Sequence, residues 1–169
     1  NCGLSAEEDH QVHNELRQHV SEDLSLLDAA KAANKVGRRL IALKLATAAA
    51  AENEGGKGDK ARALRVWLLS ALGEKERGLE DCKVWIDESR QPSSVAWASY
   101  GQQLQHNAFP GAAADAYQKS LQENPKQPGV RASRAALLFQ LRRHGQSLNE
   151  TLDLFEAGNL DKHTMALAV

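Results

Sequence analysis

Apolar positions along this chain recur at helical spacing, and no run rich in valine, isoleucine and threonine alternates apolar and polar residues as a half-buried strand would. Val12, Leu16 and Val20 return every four residues behind Ser5-Ala6-Glu7-Glu8. That tetrad reads as a capping box, in which the hydroxyl and the carboxylate satisfy orphan N–H groups. A leading helix is therefore expected over 5–20. Leu40 to Ala51 is alanine-rich and carries Lys44, which fits a close-packed helix better than a membrane span. Further along, Val66 and Leu69 are followed across Gly73 by Cys82 and Trp85, and Trp97 and Leu104 by Ala113 and Tyr117. Ala135 and Leu138 are followed by Thr151, Leu152, Leu154 and Phe155. Prolines stand only at 92, 110, 125 and 128, each at an expected helix boundary. Pro110 suits the first turn of a helix, where a missing N–H is no loss. Asn124-Pro125 stops one, because the residue before a proline is pushed out of the α region. The chain is predicted to be all-α.

The helices come in pairs with a period. Counting from Ser94, Trp97 is fourth, Tyr100 seventh, Gly101 eighth, Leu104 eleventh, Ala113 twentieth, Tyr117 twenty-fourth and Pro125 thirty-second. This spacing resembles the tetratricopeptide repeat (TPR) pattern W-x2-L-G-x2-Y, A-x3-F, P. Gly101 and Ala113 would sit where the two helices of the hairpin cross, and small side chains there allow close approach. The window 59–92 gives a degenerate version, with Gly73 at the turn, Gly78 at the small position and Cys82 and Trp85 on the second helix. The window 23–58 has Ala30, Ala42 and Ala49 at small positions and Gly37 at the turn, but no aromatic residue. The window 128–158 carries Ala135 and Leu138, with a linking run Arg142–Asn149 about four residues longer than the pattern expects. Starts near 23, 59, 94 and 128 approach the 34-residue TPR period. The resemblance implies one domain over 1–169: a right-handed α-solenoid of three to four TPR hairpins, with the leading helix in front and a short capping helix over 160–169. The run Glu52–Lys60, ENEGGKGDK, is expected to be a mobile loop.

Charge changes the picture only by exclusion. A net charge of −1 favours neither nucleic acid nor an anionic membrane. Arg131, Arg134, Arg142, Arg143 and His144 form a local basic cluster that reads as a solvated face and turn. Two cysteines, Cys2 and Cys82, make no disulfide framework, and Cys82 falls at a helix packing position. His10, His13 and His19 lack the further ligands a metal needs. Gly55–Lys60 lacks the frame of a phosphate loop, and no catalytic motif is present, so neither cofactor, metal nor enzymatic activity is expected. Asn1-Cys2-Gly3-Leu4-Ser5 resembles the mature end of a bacterial lipoprotein, although Asn1 is a poor match. That resemblance implies Cys2 as a lipidation site and a periplasmic or outer-membrane-anchored protein. An arbitrary chain boundary, with a cytoplasmic protein, is the alternative.

TPR hairpins hold other proteins, and the first helix of each lines a concave groove. Carried over position by position, the resemblance implies Val95, Ala98, Gln102, Gln105 and His106 as groove residues from the best-matched repeat. The preceding repeat offers Lys60, Ala63, Trp67, Ser70 and Ala71, and the following one Ala132, Ala136, Phe139 and Gln140. Trp67 and Phe139 are the aromatic anchor candidates. The clamp that grips a chaperone's C-terminal carboxylate is absent, because those positions carry Ala63, Trp67, Ala98, Ser99 and Gln102. The expected role is a non-enzymatic adaptor that binds a peptide or helix of a protein partner, in bacterial envelope, secretion or pilus assembly. No nucleic acid or small-molecule substrate is expected, and membrane attachment only through Cys2. The alternatives are a structural module whose groove is covered by another copy, and a TPR-type secretion chaperone.

Overall fold

The computed structural model describes residues 25–52 and 55–158, and within them the chain forms eight helices and no strand. The helices expected over 5–20 and 160–169, and Cys2 itself, lie outside the described residues. The chain divides after Leu68 into two compact units.

The first unit holds α1 (Leu26–Lys35), α2 (Arg39–Glu52) and most of α3 (Gly55–Ala71). Ser25 starts α1, its Oγ accepting the Asp28 N–H at 3.2 Å. The core of this unit is built from alanine: Ala30, Ala33, Ala42 and Ala46 pack with Ile41 and Leu68, and Ala49 and Ala50 with Ala61. Small side chains give up hydrophobic area in exchange for close helix approach, which is how a hairpin without aromatic residues can close. Ala30, Ala42 and Ala49 are fully buried.

One expectation fails here. Gly55–Lys60, read as part of a mobile loop, forms the opening turns of α3. Each glycine costs a helix about 1 kcal/mol relative to alanine. The 17-residue helix nonetheless continues through them, with Gly58 buried.

The second unit continues with α4 (Lys75–Glu88), α5 (Ser94–His106), α6 (Pro110–Glu123), α7 (Pro128–Gln140) and α8 (His144–Glu156). Its core joins Leu104, Ala113, Ala114, Ala116 and Tyr117 to Leu137 and Leu138, with Trp97 and Tyr100 half-buried against it. Gly101 is the tight point. A Cβ added there would lie 2.7 Å from the Tyr117 ring. Cys82 and Trp85 are buried on α4. Ser93 caps α5 by accepting the Ala96 N–H at 3.3 Å. The buried Ser120 hydroxyl donates to the Ser94 carbonyl at 2.7 Å, and Gln127 Nε2 donates to the Ser120 carbonyl at 3.0 Å. These bonds tie the end of α6 to the segments on either side of it.

The four short turns that join the helices at 36–38, 72–74, 107–109 and 141–143 share one geometry. Gly37, Gly73, Ala108 and Arg142 take positive φ of 81°, 90°, 61° and 60°. The residue after each donates its N–H back to the carbonyl five residues earlier, at 2.8 to 2.9 Å: Arg38 to Ala33, Glu74 to Leu69, Phe109 to Leu104 and Arg143 to Leu138. The positive-φ residue itself bonds three residues back in every case. This is the Schellman motif, which satisfies carbonyls orphaned at a helix end. The four positions are 36, 35 and 34 residues apart, so the backbone repeats although the sequence does so weakly. It follows that the last hairpin has no longer turn. Arg142 supplies the left-handed residue that glycine supplies in the first two turns and Ala108 in the third, and α8 begins at His144.

Nor is the basic cluster simply a solvated face. Arg131 and Arg134 both bond the buried Glu150 of α8, Arg131 at 2.8 Å, and Arg131 also reaches Asp153 at 2.6 Å. Burial, then repulsion from Arg131, holds the Arg134 guanidinium below its usual range, with Asp115 opposing the shift.

Candidate functional site

A groove of about 470 Å³ opens in the second unit between α5 and α7. Val95, Ala98, Ser99, Gln102, Gln105 and His106 form its α5 wall. Gly129, Val130 and Ser133 form the α7 wall, with Tyr117 below and Gln127 at the link. The sequence puts them there for local reasons. Ser93 and Pro128 fix where the two helices start, and Gly101 lets Tyr117 come up beneath α5. Tyr117 is buried, and its hydroxyl donates to Gln105 Oε1 at 3.2 Å. Burial pushes the phenol above its ordinary value, offset in part by a hydrogen bond with Ser133.

The lining contains no Asp, Glu, Lys or Arg. Gln127 is spent on the fold, its Nε2 donating to Ser120 and to the Asn124 carbonyl at 2.8 Å. Ser133 Oγ donates to the Gly129 carbonyl at 3.0 Å. Ser99, Gln102 and His106 differ. They follow one stripe of α5, and among the described residues their side chains have no hydrogen-bond partner. They are the polar groups the groove offers to something else.

Five residues expected in the groove, Val95, Ala98, Gln102, Gln105 and His106, thus meet on one wall. The others do not join them. Phe139 is 51% exposed and stacks edge-on against His144 across its own turn, ring centroids 5.1 Å apart. Gln140, Ala132 and Ala136 are likewise exposed on α7 and outside this lining. Ser70 is turned inward, where its hydroxyl donates to the Oε1 of the fully buried Gln103. Trp67 belongs to the first unit, on α3, and is 37% exposed. Gly129, Val130 and Ser133 were missed. On the helix that starts at Pro128, 130 and 133 share one face, while 132, 136 and 139 are turned about 60–120° round the axis from 133.

A second depression, about 630 Å³, lies between the 125–128 link and the end of α8, lined in part by Arg131, Asp153 and Glu156. Its arginine is already paired within the fold. Among the described residues no group of three or more His, Cys, Asp or Glu could hold a metal ion, and no helix is long and apolar enough to cross a membrane.

The chain is similar to Naa15, a TPR-containing subunit, in the solved structure of Naa15/Naa10 bound to HypK-THB. The TM-score is 0.69 at 20% sequence identity, over 85% of this chain and 22% of that one. The fold is a TPR-like helical repeat. No protein-family model matches the chain, and no curated sequence is significantly similar to it. The chain spans about a fifth of the length of that TPR subunit. The α5–α7 groove lies between the first helices of two successive TPR-like hairpins.

Proposed function

We propose that this protein is a non-enzymatic adaptor that holds a peptide segment of a protein partner in the α5–α7 groove. One observation carries the reading. A concave, uncharged lining presents Ser99, Gln102 and His106, which have no side-chain hydrogen-bond partner among the described residues, beside small apolar residues, Val95, Ala98 and Val130. Polar groups left open on a shaped wall suit recognition, whereas no nucleophile, base and orienting group converge there for catalysis. The TPR-like fold supports it, since the similar subunit was solved with partners bound.

The test is crosslinking capture from native extract with wild type and Ala98→Trp, both checked for helicity. A partner held by wild type and lost with the folded variant is the expected result. An unchanged catch would put the binding surface elsewhere. Recovery of the protein alone, as a concentration-dependent dimer that Ala98→Trp abolishes, would favour a structural role with another copy on the groove. The envelope setting rests on the Cys2-Gly3-Leu4-Ser5 context. Palmitate incorporation in a bacterial host, lost in Cys2→Ala, is what it requires.

A further inference from the structure

We propose that a second copy of this chain docks on an exposed stripe of α8, the two α8 helices lying antiparallel about a two-fold axis.

The stripe is a single ridge. His144, Leu148, Leu152 and Glu156 recur every four residues along α8, the spacing of the i±4 rows that interdigitate in the commonest helix crossing. All four are exposed, Leu148 at 44% and Leu152 at 36%, and the half-buried Phe155 flanks them. Phe139, edge-on to His144, widens the apolar surface at the turn. No residue of this ridge lines the α5–α7 groove.

One hairpin earlier the same face is covered. Leu148, Leu152 and Phe155 stand 34 residues after Ala114, Gln118 and Leu121 of α6, just as Arg142 stands 34 after Ala108. Ala114 and Leu121 are buried. α7 occupies that face, where Arg134 Nε donates to the Ala114 carbonyl at 3.3 Å and its Nη2 to Gln118 Oε1 at 3.1 Å. The corresponding leucines of α8 stay open, on a surface shaped to receive a helix.

Charge selects which helix. Arg142 and Arg143 stand beside His144 at the start of α8, and Glu156 stands at its end. All are exposed, and Arg142, Arg143 and Glu156 have no ion-pair partner among the described residues. Both ends carry the wrong sign for the helix dipole, which favours acid at the N-terminus and base at the C-terminus. The pattern therefore costs the isolated helix some stability, and it is self-complementary on reversal. An antiparallel copy sets Glu156 opposite the partner's His144 and Leu148 opposite the partner's Leu152. Symmetry makes each contact twice. Thirteen residues of α8 span about 20 Å, so the contact stays below the roughly 800 Å² per partner of a standard interface. A weak dimer follows, with a dissociation constant of about 10–100 μM.

The experiment is sedimentation equilibrium on the whole chain from about 2 to 500 μM, a range that brackets that constant. Wild type should show a reversible monomer–dimer equilibrium, which Leu152→Glu abolishes and Ala98→Trp, in the groove, leaves intact. His144→Glu and Glu156→Lys should each weaken the dimer at least about tenfold by setting like charges opposite. Each also corrects the sign at its helix end, so the melting temperature of dilute protein should hold or rise. An equimolar mixture of these two variants should dimerise again, because in the mixed pair both end contacts become opposite-charged. A dimer that the α8 variants leave intact, that the mixture does not restore, or that Ala98→Trp dissolves lies on another surface and overturns the assignment. Wild type that is monomeric throughout overturns it too; a fall in its melting temperature with Leu152→Glu would then show that residues 159–169 of the same chain cover the stripe.

Discussion

At the scale of single residues, Gly101 and Tyr117 act as one device. The missing Cβ of Gly101 is the space that the Tyr117 ring fills, and the ring in turn floors the groove. Gly101→Ala should therefore lower stability by about 1–3 kcal/mol, the cost of overpacking against a buried ring. Gly111→Ala is the control, because a Cβ there meets nothing within 4 Å and the helix gains alanine's propensity. Urea midpoints should move in opposite directions. The Tyr117 phenol adds a pH signature. Its folded-state value is raised by burial, so the neutral form is favoured in the folded protein. The stabilisation is complete below the ordinary value of about 10 and is lost as pH rises through the higher folded value. Melting temperature should fall more steeply above about pH 10 in wild type than in Tyr117→Phe, and equal slopes would show that the phenol does not titrate against folding. Gly101 and Tyr117 were legible because their spacing is part of a recognised repeat. Ser70 and Gln103 were not. Both are polar residues on helices, and their side chains meet across 33 positions of sequence, with Gln103 fully buried beside Gly78.

At the scale of elements, the helices were legible from apolar spacing and the turns only where glycine marked them. Gly37 and Gly73 announce a left-handed residue; Ala108 and Arg142 do the same work without announcing it. That is why the last link reads as too long in sequence, although the backbone makes the same turn four times. A left-handed conformation costs a residue with a Cβ about 1–2 kcal/mol. Replacement by glycine removes that cost and returns part of it through a more flexible unfolded chain. Arg142→Gly should accordingly raise stability by about 0.5–1 kcal/mol, and Gly73→Ala should lower it by about 1 kcal/mol or more. Calorimetric melting of the two variants checks the pair. A fall with Arg142→Gly would mean that the arginine side chain contributes more than its backbone costs. Gly55–Lys60 is the reverse lesson. Glycine there signalled a loop, but the helix runs through it and packs Ala61 against Ala49 and Ala50.

At the scale of the whole molecule, two facts legible in the sequence set how association should proceed. The chain carries a net charge of −1, and the α5 wall, readable from the repeat pattern, is uncharged. The α7 wall was not readable. It presents Gly129, Val130 and Ser133, where the pattern pointed to Ala132, Ala136, Phe139 and Gln140. The observed lining leaves the electrostatics unchanged, since neither set is charged. Without a field to steer encounter, association with a neutral peptide should run at about 10⁵–10⁶ M⁻¹ s⁻¹, set by orientation alone. Stopped-flow measurement between 50 and 500 mM NaCl should find the rate nearly constant. Gln102→Lys supplies the contrast. A charge placed in the middle of the wall should make the rate rise at low salt for a peptide given one added glutamate, and fall for one given an added lysine. If wild type already shows a steep salt dependence, charges outside the groove take part in the encounter. The partner then spreads beyond α5 and α7 onto the charged outer faces of the hairpins, where Lys119 already lies 4.2 Å over the Trp97 ring.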